Sequence, residues 1–226
     1  MDLGLLPTLG LGFLFGLQHA TDPDHVVAVA TIVSRTRRFD AGALIGAFWG
    51  VGHSATMLTM GMAIIVFNVT VTPSVGLSME LGVAVMLLVL GILRILRFVR
   101  DHDHDEPPPA GTTMGLRGAL GVVGKGQAAR SVAIGLVHGL AGSAAVALLV
   151  LSTAKSPYAA TAYLLLFGLG TIVGMTAITA LLSLPFRMPL LVFNRGLAVG
   201  TGVGSVVFGL CLIVQIGFVD GLFLRF

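Results

Sequence analysis

The sequence predicts an all-α membrane protein with six transmembrane helices, arranged as two inverted repeats of three helices. Three observations support this: an apolar composition, long uninterrupted apolar segments and an internal repeat. Of the 226 residues, 56% are hydrophobic and only 10% are charged, whereas soluble domains carry about 25% charged residues. The charges cluster, so they leave apolar stretches of about 20 residues, the length that a spanning helix needs.

Six apolar segments predict the individual spans. They run roughly over residues 5–34, 41–69, 78–98, 131–153, 158–184 and 195–218. At ~1.5 Å per residue the first is too long for one upright span, and it is too short for two. We therefore expect one long helix that is broken near His19–Asp24, because Pro23 cannot donate a hydrogen bond to the preceding turn. Residues 1–17 contain no Lys or Arg, so we interpret this segment as a retained span rather than a signal peptide.

The second half of the chain repeats the first. GLQHA at residues 16–20 returns as GLVHG at residues 135–139, an offset of 119. At an offset of 118, matching residues are Gly50 and Gly168, Gly52 and Gly170, Met57 and Met175, and Gly91 and Gly209. Three spans per repeat invert the second copy, which predicts an axis in the membrane plane and a site near the midplane. Chance similarity between glycine-rich helices is the alternative explanation.

Glycines spaced by four residues predict close helix packing in two of the spans. They lie at residues 42, 46 and 50 of the second span and at residues 196, 200 and 204 of the sixth. Small residues at this spacing let helix backbones approach each other in lipid.

Basic residues predict the orientation of the chain. With six spans, all but two of the 13 Lys and Arg residues lie on one side, the exceptions being Lys155 and Arg225. Cytoplasmic loops carry the excess of Lys and Arg, so both termini are predicted to be periplasmic, in a protein of the inner membrane. The predicted parts are a first three-helix repeat (residues 1–98), a cytoplasmic linker (99–130) and a second three-helix repeat (131–226).

The ionisable side chains away from the span ends are histidines and aspartates. They are His19, Asp22, Asp24, His25, His53 and His138. Charge inside a membrane is costly and usually marks an ion site or pathway. No Lys or Arg lies at a comparable depth, so the carboxylates need either a bound cation or a proton. His19, Asp22 and His25 are spaced by three and can share one helix face.

The types of ligand narrow the ion. Imidazoles with carboxylates suit nickel, cobalt or zinc, whereas calcium and magnesium prefer oxygen ligands alone. Cys211 is the single cysteine, which excludes a thiolate site. For His138 taken alone, an interhelical hydrogen bond is the competing interpretation. His102 and His104, in DHDHDE at residues 101–106, could bind metal or belong to a solvated linker.

Three motifs resemble a known family. HATDPDH at residues 19–25 fits H-x-x-x-x-D-H, which resembles the signature of the nickel/cobalt transporter (NicO/NiCoT) superfamily, and GHS at residues 52–54 resembles its second motif. HGLAGSAAV at residues 138–146 resembles a urease-associated, high-affinity nickel transport branch. The resemblance implies Ni²⁺ or Co²⁺ as the transported substrate. It also implies His19, Asp24 and His25 as ligands, with a contribution from His53. Longer members have eight spans and an acidic motif where this chain has GLAGSAA.

The predicted function is that of a permease, which moves Ni²⁺ and/or Co²⁺ through a midplane His/Asp site. The alternatives are an intramembrane metalloenzyme and a structural membrane partner in metalloenzyme maturation. The predicted partners are the divalent ion and the lipid bilayer, with no enzymatic activity, organic cofactor or nucleic acid. GKGQ at residues 124–127 lacks the complete phosphate-binding loop, so coupling to ATP would require another subunit.

Overall fold

The computed structural model describes residues 5–34, 36, 38–67, 71–100, 116–153, 156–185 and 191–224. Within these ranges the regular structure is helical and contains no strand, which confirms the predicted all-α class. The helices are α1 (Leu5–His19), α2 (Pro23–Val33), α3 (Phe39–Phe67), α4 (Pro73–Arg100), α5 (Leu116–Thr153), α6 (Pro157–Ser183) and α7 (Leu191–Val214). A π-helical turn, Gln215–Val219, continues α7.

The described residues include four helices that are long and apolar enough to cross a membrane. They cover Phe39–Phe67, Pro73–Arg100, Tyr158–Ser183 and Val199–Val219. Their outward surfaces expose large apolar side chains such as Val89, Leu165 and Val207, which lipid tolerates and water does not. The chain is therefore a helical membrane protein.

The first apolar segment is broken where the sequence predicts. Helix α1 ends at His19 and α2 begins at Pro23, the helix position where the missing N–H of proline is least costly. The break keeps its own hydrogen bonds, because Asp22 N donates to His19 O at 3.1 Å and Thr21 N donates to Gln18 O at 2.8 Å. His19 and Asp24 therefore lie on either side of a turn that is held by its own backbone hydrogen bonds.

Helix α5 begins earlier than the fourth predicted span. It starts at Leu116 and bends at Gly124, whose φ of 63° glycine adopts without steric cost. Residues 116–130, which the sequence analysis placed in the linker, are therefore helical. Three basic residues in this stretch lowered its hydropathy, so a criterion based on apolar length did not detect the helix. Residues 101–106, for which metal binding and a solvated linker were the two alternatives, lie outside the described residues.

Helix α2 is enclosed by α4, α6 and α7. Its buried Val29 and Val33 belong to one apolar cluster with Leu87 of α4. The hydroxyl of Thr31 donates to the carbonyl oxygen of Thr201 at 3.2 Å, which ties α2 to α7. This packing holds the N-terminal end of α2, where Asp24 and His25 lie, in a fixed position.

Close glycine contacts occur in matched pairs in the two halves of the chain. A Cβ on Gly16 of α1 would lie 2.1 Å from the carbonyl oxygen of Phe167, and a Cβ on Gly135 of α5 would lie 2.2 Å from that of Trp49. Gly16 and Gly135 are related by the offset of 119, and Trp49 and Phe167 by the offset of 118. Each half of the chain therefore makes the same contact, of a glycine with a backbone carbonyl, with the other half.

The same exchange of contacts relates α4 and α7. A Cβ on Gly91 would lie 2.6 Å from the carbonyl oxygen of Gly202, and a Cβ on Gly209 would lie 2.9 Å from that of Ala84. Gly209 is the repeat equivalent of Gly91, and Gly202 is the repeat equivalent of Ala84, each at an offset of 118. Reciprocal contacts of this kind are those of a two-fold interface.

The two predicted glycine stripes differ in their surroundings. On α3, a Cβ at Gly42, Gly46 or Gly50 would approach atoms of α6 to between 2.5 and 2.9 Å. On α7, a Cβ at Gly196, Gly200 or Gly204 would meet no atom of the described residues within 4 Å. Close packing is therefore confirmed for α3 and is wrong for α7, since spacing along a helix does not specify which face meets a neighbour.

Candidate metal centre

Five ionisable side chains converge beside the break between α1 and α2. His19 ends α1 and Asp24 and His25 open α2, while His53 lies at the centre of the 29-residue α3 and His138 lies on α5. They fall into two groups, His19 with His25 and His53, and Asp24 with His25 and His138. Within each group the candidate ligand atoms lie within 4.8 Å of one another.

The first group consists of imidazoles from α1, α2 and α3. Nε2 of His19 lies 3.1 Å from Nε2 of His53. Nδ1 of His19 lies 2.7 Å from Oδ2 of Asp22. A carboxylate on Nδ1 holds the proton there and leaves Nε2 free to bind an ion. Asp22 is 45% exposed and belongs to neither group. Although the sequence predicted Asp22 at the metal site, it contacts the candidate ligand His19 on the ring nitrogen opposite His53.

The second group is built on Asp24. Its Oδ1 lies 3.1 Å from Nδ1 of His25 and its Oδ2 lies 2.9 Å from Nε2 of His138. The interhelical hydrogen bond that the sequence analysis considered for His138 is therefore present. It ties His138 to a carboxylate at the centre of the cluster rather than to an unrelated helix.

The histidine rings pack against one another around His25. Its ring centroid lies 4.6 Å from that of His19, 4.9 Å from that of His53 and 4.4 Å from that of His138. His25, His53 and His138 are at most 2% exposed. One nitrogen atom in each of these buried rings has no hydrogen-bond partner among the described residues: Nε2 of His25, Nδ1 of His53 and Nδ1 of His138. Unpaired buried nitrogens are costly, and a cation bound by imidazole would remove part of that cost.

The two carboxylates have histidine partners. Asp22 pairs with His19, and Asp24 pairs with His25 and His138. Among the described residues, Arg38 and Asp40 form an ion pair at the start of α3. Neutral imidazoles hydrogen-bond to these carboxylates without neutralising their charge, so a divalent cation would suit this place.

Two aromatic side chains that the sequence analysis did not single out enclose the cluster. The ring centroid of Trp49 lies 5.5 Å from those of both His25 and His138, and that of Phe167 lies 5.4 Å from that of His19. Trp49 and Phe167 occupy equivalent positions in the repeat, as do His19 and His138. That double equivalence was a signal available in the sequence.

Comparisons with known proteins link the chain to urease. It is 36% identical to urease accessory protein UreH of Bacillus sp. (strain TB-90), over 98% of this chain and 97% of that protein. The chain belongs to the UreH family. No protein-family profile and no solved structure matches it. The urease association expected from the sequence motifs is therefore confirmed.

More distant relatives of this UreH-family chain occur in a plant. The chain is 28% identical to the chloroplast protein FOR GROWTH AND FERTILITY 2 of Arabidopsis thaliana, over 79% of the chain and 48% of that protein. It is 26% identical to FOR GROWTH AND FERTILITY 1 of the same plant, over 90% of the chain and 60% of that protein. The chain thus spans about half to three fifths of these two plant proteins.

Proposed function

We propose that this UreH-family chain is a permease that moves Ni²⁺ and/or Co²⁺ across the inner membrane through the cluster of four histidines and Asp24. The observation that carries the proposal is the convergence of imidazoles and a carboxylate from four helices in a buried place. Imidazole with carboxylate is a ligand set for first-row divalent ions. The ion is the substrate, and the chain has no catalytic role.

The relationship to a urease accessory protein supports nickel among these ions. Urease is a nickel enzyme, so an accessory protein that is itself a helical membrane protein has an evident task in supplying nickel. The motif resemblance to the nickel/cobalt transporter superfamily agrees with this and keeps cobalt as a second substrate.

The position of the site supports transport rather than storage. His53 has fourteen residues of α3 on either side, about 21 Å of helix in each direction, so it lies near the centre of a span. The break between α1 and α2 brings both His19 and Asp24 into contact with His25. Broken helices at the midplane are typical of secondary transporters, where they form the ion site.

We further propose six spans in two inverted repeats, divided as residues 1–98 and 131–226 around a linker at 99–130, with both termini periplasmic. The reciprocal glycine contacts of α1 with α6, α3 with α5, and α4 with α7 support this arrangement. Helices α1 and α2 together would form the first span, and the part of α5 after Gly124 would form the fourth.

Flux through purified protein tests the proposal. Reconstituted into liposomes, the protein should carry radioactive nickel and cobalt down a concentration gradient in either direction, while magnesium should not compete. Liposomes with Thr59→Ala protein, altered at an exposed residue of α3, should match the wild type. Absence of flux above protein-free liposomes would refute a permease.

The name of the Bacillus relative also favours a second candidate, a membrane partner that supports urease maturation without conducting ions. The liposome assay separates the two because it contains no other subunit. A structural partner would carry no flux, yet its deletion would still lower urease activity in cells supplied with ample nickel. A permease defect should instead be relieved by ample nickel.

A further inference from the structure

We propose that the ion occupies two alternative positions that share His25, and that it moves between them by exchanging His19 and His53 for Asp24 and His138. This inference rests on the proposed function and specifies how its site works. We call the place between His19, His25 and His53 the first position, and the place between Asp24, His25 and His138 the second position.

The distances within the cluster fit two coordination spheres. At metal–ligand distances of about 2.0–2.1 Å, two adjacent ligands of one ion lie roughly 2.9–3.4 Å apart. The Nε2 atoms of His19 and His53 are 3.1 Å apart, and Oδ2 of Asp24 is 2.9 Å from Nε2 of His138. Each pair therefore already has the spacing of one edge of a coordination polyhedron, and the two pairs share no residue.

His25 links the two positions and limits them to one ion. A neutral imidazole binds an ion through one nitrogen while the other carries a proton. Nδ1 of His25 lies against Asp24, and its buried Nε2 has no partner in the described part of the chain. An ion held by His25 can thus have either set of neighbours, but a second ion would lack this ligand.

His19 and His138 reach the cluster from opposite halves of the chain. His19 packs on Phe167 and His138 packs on Trp49, and these two pairs are equivalent in the repeat. Exchange between the positions therefore replaces His19 by its equivalent in the other half of the chain.

Binding to purified, detergent-solubilised protein tests the inference, with Co²⁺ as the spectroscopic probe and Ni²⁺ in parallel. His53→Ala removes a ligand of the first position alone, and His138→Ala removes one of the second alone. Thr59→Ala is the control on α3. His53→Thr, which introduces the residue found at the equivalent repeat position, serves if His53→Ala does not fold. Calorimetry gives affinity and stoichiometry, and X-ray absorption gives the number of imidazole ligands.

Wild-type protein should bind one ion per chain. Each single variant should still bind one ion, weakened about tenfold or less, whereas the double variant should lose far more than the two single effects combined, at least about 1,000-fold. The bound ion should have imidazole ligands without carboxylate in His138→Ala, and should gain a carboxylate in His53→Ala. Both single variants should lose most of their flux, because each retains only half of the pathway.

Three results would overturn the inference. Identical ligand sets in both single variants, with the double variant equal to the product of the two losses, would show a single shared position. Two ions per chain in the wild type would exclude alternative occupation, and a wild type that binds neither ion would remove both positions. Loss of the proposed function looks different: these binding results without flux in liposomes would leave two positions in a protein that does not transport.

Discussion

His25 has the central place in the cluster because its ring contacts those of the other three histidines. It also belongs to both groups of candidate ligands. A change at this residue therefore removes a ligand wherever the ion sits, while the helix that carries it is held by apolar contacts of Val29 and Val33 farther along.

We expect His25→Ala to abolish nickel and cobalt uptake in cells while leaving the protein in the membrane. Loss of a ligand from both positions should weaken binding at least about 100-fold, the upper end of what a change next to a ligand costs. Radioactive uptake at equal membrane abundance measures this, with Thr59→Ala as the control. Uptake at the wild-type level in His25→Ala would exclude the cluster as the ion site.

The two aspartates should differ in the severity of their substitution. Asp22 supports His19, a ligand of the first position alone, so Asp22→Asn should weaken binding of Co²⁺ about tenfold or less. Asp24 is itself a candidate ligand and faces two histidines, so Asp24→Asn should cost more and should remove the carboxylate from the X-ray absorption spectrum. Equal losses and equal spectra for the two variants would contradict these roles.

At this scale the sequence predicted most of the cluster, because one seven-residue motif and the cost of intramembrane charge identify it locally. It did not predict the bond of Asp24 with His138, since that contact joins residues 114 apart. Nor did it assign Trp49 and Phe167 to the site. Aromatic residues in an apolar helix carry no local sign of what they pack against.

Among the helices, α3 and α6 show how glycine fixes the distance between spans. A methyl group at Gly46 would lie 2.5 Å from the carbonyl oxygen of Met175 and 2.6 Å from the hydroxyl of Thr179. The sequence predicted this stripe correctly by its spacing, yet the same spacing on α7 faces no other described atom. Helix periodicity predicts which residues share one face of a helix, but it does not predict which other helix packs against that face.

We therefore expect opposite effects from Gly46→Ala and Gly200→Ala. At Gly46 the helices must separate, and overpacking of this kind costs about 1–3 kcal/mol. At Gly200 the methyl group meets open space, and alanine favours the helix by about 1 kcal/mol. Thermal unfolding of the purified proteins should show a lower midpoint for the first and an unchanged or higher midpoint for the second. A loss of stability in both would place a neighbour against α7.

At the scale of the whole molecule, the two halves of the chain are more alike in their backbone contacts than in their ionisable side chains. Gly16 and Gly135 make matched contacts, but the second half has Ala141, Ser143 and Ala144 where the first half has Asp22, Asp24 and His25. Both facts are visible in the sequence, because the glycines recur in the second half whereas these three ionisable residues do not. It missed the helical residues 116–130, whose basic side chains reduce hydropathy without disrupting a helix.

The last prediction concerns how this arrangement sits in the membrane. An odd number of spans per repeat inverts the second copy and places both termini on the same side. The Lys and Arg excess assigns that side to the outside, because all but two of the 13 basic residues then face the cytoplasm. Reporters fused to each terminus should therefore be active only as periplasmic enzymes. A reporter inserted between residues 101 and 115 should be active only in the cytoplasm. Opposite locations for the two termini would exclude two inverted three-span repeats, and cytoplasmic signals from both would reverse the proposed orientation of the chain.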